Sequence, residues 1–144
     1  MSPDTEVLIV DDDPDEAELT RLALEKNELA ARHFIVKDGA EALEFLFGSG
    51  RYAGRGLPAP RLVLLDLKMP RMDGFEVLKA LRGDPRTRML PVVVLTSSAQ
   101  DEDVARSYAL GANGYVVKPV DFDAFVAAVA DAGLYWLRLN RPPP

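Results

Sequence analysis

Three short, unbroken apolar runs constrain this chain more than anything else in it: VLIV at residues 7–10, LVLL at 62–65 and VVVL at 92–95. Each is four residues of branched aliphatics with no alternation. A strand with one solvated face shows a polar residue at every second position. A strand covered on both faces does not, so these runs read as interior strands of a parallel sheet. HFIV (33–36) and YVV (115–117) are weaker candidates.

Helical patterns fill the gaps. Asp13-Pro14 supplies an N-cap followed by proline at the first helical position. Ala17, Leu19, Leu22, Ala23 and Leu29 then form a broken apolar stripe. DGAEALEFLF offers Ala42, Leu43, Phe45 and Leu46 as a buried face, and FEVLKALR follows Gly74. A fourth helix is expected over about 101–110, closed by Gly111, and a fifth from about Asp121 carrying Phe122, Phe125, Val126, Val129, Leu134 and Leu137. Strand and helix thus alternate five times. Such alternation predicts an α/β fold with a parallel sheet, right-handed crossovers and helices on both faces. A single domain is expected over 1–144, with a core at about 6–130 and a helical extension at about 131–140. GSGRYAGRGLPAP (48–60), with four glycines and two prolines, predicts an exposed, mobile loop, and the RPPP end an extended tail.

In open α/β sheets, ligands bind beyond the carboxyl ends of the strands. The first strand delivers Asp11, Asp12 and Asp13 to that edge, and the third delivers Asp66. The fourth delivers Thr96, with Ser97 and Ser98 behind it, and the fifth delivers Lys118-Pro119. Singly, each has a bland reading as a cap, a turn or a surface lysine, and His33 falls far from this edge. Together they have a chemical meaning. Crowded carboxylates become tolerable beside a hard cation such as Mg²⁺. An aspartate facing that cation can attack phosphorus. Asp66 ends the most hydrophobic strand and is the better nucleophile. Asp11 and Asp12 are then metal ligands, directly or through water. Asp13 caps the first helix. Lys118 neutralises phosphoryl oxygens and Thr96 donates to one.

Composition removes other chemistries. The chain has no cysteine, and His33 is its only histidine, which excludes thiolate sites and leaves no multi-histidine zinc site or histidine triad. A net charge of −6 gives no general attraction to nucleic acid or an anionic membrane. No apolar stretch is long enough to span a bilayer and no signal-peptide pattern opens the chain, so a cytoplasmic location is expected.

As a set, VLIVDDD, LVLLDLKMPRMDG, PVVVLTSS and GANGYVVKP resemble the receiver domains of two-component response regulators over about residues 6–130. The resemblance implies a flavodoxin-like (CheY-like) doubly wound five-stranded sheet of order 2-1-3-4-5. It implies Asp66 as phosphoacceptor, Asp11 and Asp12 as the Mg²⁺ pair, and the backbone carbonyl of Lys68 as a further metal ligand. It makes Thr96 the switch hydroxyl, Tyr115 its aromatic partner and Lys118 the phosphoryl contact, with a cis Lys118-Pro119 peptide. DDDPDEAELT, FLFGSGRYAGRGLPAP and the late YWL are similar to the stand-alone regulators of phytochrome histidine kinases. A sensor histidine kinase of that type is therefore the expected partner. Lysine at position 68, where that group often has asparagine, bears on the lifetime of the phosphorylated state.

Output is expected through the surface of the fourth helix, fifth strand and fifth helix. No DNA-binding domain follows residue 140, so direct control of transcription is not expected. The last helix carries Leu134, Tyr135, Trp136, Leu137 and Leu139, enough apolar surface for core packing or for a homodimer through that surface. The chain is expected not to be an enzyme, beyond autophosphatase activity. Two rivals remain at this stage. A haloacid-dehalogenase-like phosphatase would use Asp11 as nucleophile and Asp13 as acid–base residue. A receiver-like interaction module would not be phosphorylated at all.

Overall fold

A computed structural model describes residues 6–29, 32–54 and 59–143. Five strands, β1 (Val7–Val10), β2 (His33–Val36), β3 (Leu62–Leu65), β4 (Val92–Thr96) and β5 (Gly114–Val117), form one parallel sheet in the order β2-β1-β3-β4-β5. The expected strands all form, within one residue at β4 and β5. The three unbroken apolar runs are β1, β3 and β4, the interior strands, and every residue of these is buried. The two weaker candidates are the edges. There the sheet is half solvated and a continuous apolar run is not required.

The pleat splits the interior into two cores. Leu8, Val10, Val63, Leu65, Val92 and Val94 face α2 (Gly39–Phe47) and α3 (Gly74–Arg82). Val7, Ile9, Leu62, Leu64, Val93 and Leu95 face α1 (Pro14–Lys26) and α5 (Phe122–Leu134). The remaining helix, α4 (Asp101–Ala109), is mostly solvated, with only Ser107 buried, and Gly111 follows it at φ 103°. A π-helical turn (Tyr135–Leu139) extends α5 and seats Leu137 in the second core.

Some expected contacts differ. Leu22, Phe122 and Leu134 are exposed, because the core-facing stripe of α1 runs through Ala17, Thr20, Ala23 and Leu24 and that of α5 through Phe125, Val129 and Gly133. Of the expected loop at 48–60, residues Gly50–Tyr52 form one 3-10 turn. Its Tyr52 is ordered against Phe34 and Phe45 and donates to Glu41 at 2.6 Å. Residues 55–58 and Pro144 lie outside the described residues.

Candidate functional site

Local contacts set where the helices begin beyond the strand ends. Asp13 accepts from the backbone N–H groups of Asp15 and Glu16 at 2.9 and 3.3 Å, so α1 begins immediately beyond β1. That spends the Asp13 carboxylate on the cap, as expected, and takes it away from the acid–base role of the phosphatase reading. Gly74 opens α3 directly behind β3. A Cβ there would meet the Asp66 carbonyl oxygen at 2.5 Å, so only glycine lets the helix start this close to the strand end. Asp73 and Glu76 close a reciprocal capping box on the same helix.

The sheet order then brings the distant residues together. Asp11, Asp12 and Asp66 each offer one carboxylate oxygen, all within 4.8 Å of one another. Asp11 and Asp66 are buried, while Asp12 is exposed. Lys118, itself buried, crosses from β5 and donates to Asp11 Oδ2 at 2.9 Å and to Glu16 Oε2 at 2.8 Å. Its Nζ stands 3.9 Å from Asp66 Oδ2. Thr96 ends β4 and is buried, and its Oγ1 accepts from the Ser98 N–H at 3.4 Å. Tyr115 donates through its hydroxyl to the Ser98 carbonyl at 2.9 Å, which ties β5 to the loop after β4. Lys68 lies two residues beyond Asp66 in the loop before α3, with an exposed side chain.

Electrostatics follow from this crowding. Burial pushes the Asp66 carboxyl from 3.8 up to about 6. The Lys118 ammonium, the Leu67 N–H and the Thr96 hydroxyl oppose that shift, while Asp11 adds to it. Asp11 is also raised, by burial first, against the pull of the Asp13 N–H and of Lys118. For Lys118, burial acts downward, but hydrogen bonds to Glu16 and Asp11 together with the negative charges of Asp11 and Asp66 hold the ammonium above its ordinary value. The arrangement is a cluster of acids with one cation, short of positive charge. Its donors are hard carboxylate oxygens at a spacing that small side-chain rotations can draw around a divalent ion, so the residues present fit such an ion.

Asp11, Asp12, Asp66, Thr96 and Lys118 come together at this edge. Two features depart from expectation. The Lys118-Pro119 peptide is trans rather than cis. Trans is the intrinsically favoured isomer by about 0.5–1 kcal/mol. The contacts of Lys118 with Asp11 and Glu16 are all made with it in place. Glu16 was not anticipated. The signal for it is faint: it is the third residue of a helix whose first turn abuts the strand ends, where a side chain can lean back over the site. His33 sits at the start of β2, away from the site, as its bland reading required.

Comparison with known proteins agrees with this geometry. The model of the response regulator receiver domain matches residues 7–130. The probable methanogenesis regulatory protein FilR2 of Methanothrix harundinacea (strain 6Ac) is 39% identical over 137 residues, covering 95% of this chain and 86% of its own. Response regulator Rcp1 of Synechocystis sp. (strain PCC 6803) is 34% identical over 142 residues, covering 99% and 95%. The Mn²⁺-bound form of Rcp1 superposes with a TM-score of 0.88 at 33% identity, covering 99% and 100%. The phosphorylated cyanobacterial phytochrome response regulator RcpA superposes with a TM-score of 0.90 at 32% identity, covering 99% and 100%.

Proposed function

This chain belongs to the response regulator receiver domain family, and from that premise we propose that it takes a phosphoryl group from a sensor histidine kinase of phytochrome type onto Asp66. The observation that carries the reading is the convergence of Asp11, Asp12, Asp66 and Lys118 at one sheet edge. Asp11, Asp12, Asp66 and the Lys68 carbonyl would hold Mg²⁺, which when bound would neutralise charge between the nucleophile and the incoming phosphoryl group. The Mn²⁺-bound form of Rcp1 supports a divalent ion here.

In the transfer, an Asp66 oxygen bonds to phosphorus as the bond from phosphorus to the kinase histidine breaks in line. Lys118 and Thr96 meet the equatorial oxygens. Thr96 turns its hydroxyl toward them, and Tyr115 leaves the Ser98 carbonyl to fill the space behind. The surface of α4, β5 and α5 therefore has two arrangements, which the phosphoryl group biases by contacting only one. The chain acts in the cytoplasm as a signalling domain, with autophosphatase activity as its only turnover. Exposed Leu134, Tyr135 and Leu139 beside that surface support a homodimer through it.

Labelling tests the assignment. Incubation with a phytochrome histidine kinase and radiolabelled ATP, or with labelled acetyl phosphate, is expected to label the chain only when Mg²⁺ is present. Asp66→Ala takes no label. Label retained in Asp66→Ala would remove Asp66 as the acceptor.

A further inference from the structure

Lys118 is committed to two carboxylates before any phosphoryl group arrives. An ammonium has three N–H donors. One goes to Asp11 Oδ2 at 2.9 Å and a second to Glu16 Oε2 at 2.8 Å. The distance to Asp66 Oδ2, 3.9 Å, is too long for a hydrogen bond. The lysine side chain is only 5% exposed, so water does little to satisfy a donor that loses its partner. The next carboxylate within reach of Lys118 is then Asp66. A direct pair between Lys118 and Asp66 would occupy the lone pairs that must reach phosphorus and would crowd the space a metal ion needs.

We infer that Glu16 is a positioning residue that holds the Lys118 ammonium off the Asp66 carboxylate, keeping the nucleophile open to metal and phosphoryl group. The inference rests on the receiver reading above. Glu16 is well placed for the task. The Asp13 cap fixes its backbone in the first turn of α1, and its side chain is 40% exposed, so its contact with Lys118 is not enforced by core packing. The ammonium hangs between α1 and β1, 3.9 Å from Asp66 Oδ2 and out of hydrogen-bond contact with it.

Reach and charge are separable at this position. Glu16→Asp keeps the charge and withdraws the carboxylate by one methylene. Glu16→Gln keeps the reach and an acceptor oxygen without the charge. Glu16→Ala removes both. Mg²⁺ binding to the full chain by isothermal titration calorimetry is the first readout. The rate of labelling by acetyl phosphate at limiting and at saturating Mg²⁺ is the second. Positioning predicts that Glu16→Asp and Glu16→Ala raise the Mg²⁺ Kd by about five- to tenfold, as expected for a lost hydrogen bond between charged groups. Their labelling slows at limiting Mg²⁺ and recovers at saturation, and Glu16→Gln stays within about twofold of the native chain. The reverse order, Glu16→Asp like the native chain and Glu16→Gln like Glu16→Ala, would show a mere charge effect and overturn the inference, as would four equal Kd values. A native chain that binds Mg²⁺ but takes no label would overturn the receiver reading instead, leaving the Kd order to decide the role of Glu16.

Discussion

Replacing Asp66 by asparagine should make the metal-free protein more stable, and the gain should depend on pH. Burial raises the Asp66 carboxyl from 3.8 to about 6. A carboxyl raised on folding holds its proton more tightly when folded than when unfolded. Its favourable contribution is therefore complete below pH 3.8 and disappears as pH climbs through about 6. About two pH units at 1.36 kcal/mol each would make ionised Asp66 cost about 3 kcal/mol at pH 7.5. The side chain is 11% exposed at the open edge of the sheet, and screening there reduces the figure to about 1.5 kcal/mol. The asparagine side chain carries no charge and avoids that cost. Urea unfolding in EDTA, followed by the fluorescence of Trp136, the only tryptophan, should find Asp66→Asn more stable by about 1.5 kcal/mol at pH 7.5, equivalent to about 3–6 °C in Tm. At pH 4 the two proteins should coincide. Mg²⁺ at about 100 times its Kd adds about 2.7 kcal/mol to the native chain and reverses the order. Equal stabilities at pH 7.5 in EDTA, or an equal difference at pH 4 and 7.5, would refute the reasoning.

Two other substitutions probe the frame around the site. Gly74→Ala drives a Cβ to 2.5 Å from the Asp66 carbonyl; it should lower stability by about 1–3 kcal/mol in urea unfolding and slow acetyl phosphate labelling, because the strand end carrying the nucleophile must shift. Leu139→Glu places a charge on a residue that is 67% exposed; if the extension pairs two copies, light scattering should show a species of half the mass with unchanged thermal stability of the monomer, and an unaltered mass counts against the homodimer.

The sequence made the strands and their polar ends easy to read, for a local reason. A strand buried on both faces must be apolar at every position, so β1, β3 and β4 announce themselves in four or five residues. The first residues after β1 and β3 lie at the carboxyl edge of the sheet, where Asp11 and Asp66 come together. Helix faces were less legible. Leu22 and Phe122 fit apolar stripes yet are exposed, because the width of a buried stripe depends on how closely the neighbouring helix approaches. Gly133 shows the point: its missing Cβ would meet Leu24 at 2.9 Å and Leu29 at 3.0 Å, so α1 and α5 pack tightly along a narrow seam and leave the flanks wet. In the β3–α3 loop, Arg71 adopts a left-handed backbone at φ 67° and pairs with Asp38 at 3.0 Å, a contact no local pattern in the sequence marks.

What the amino-acid order determined by itself was the set of elements and the residue types delivered to one edge of the sheet, since both follow from periodicity over a few neighbouring positions. What only the tertiary structure decided was partnership. Lys118 lies 107 residues from Asp11 and 102 from Glu16, and it pairs with them, standing clear of Asp66. That choice depends on the spacing of β1, β3 and β5 across the sheet and on the direction in which Asp13 starts α1. The energy of each charge there depends on burial and on neighbours brought from elsewhere in the chain, and neither is written in any local stretch.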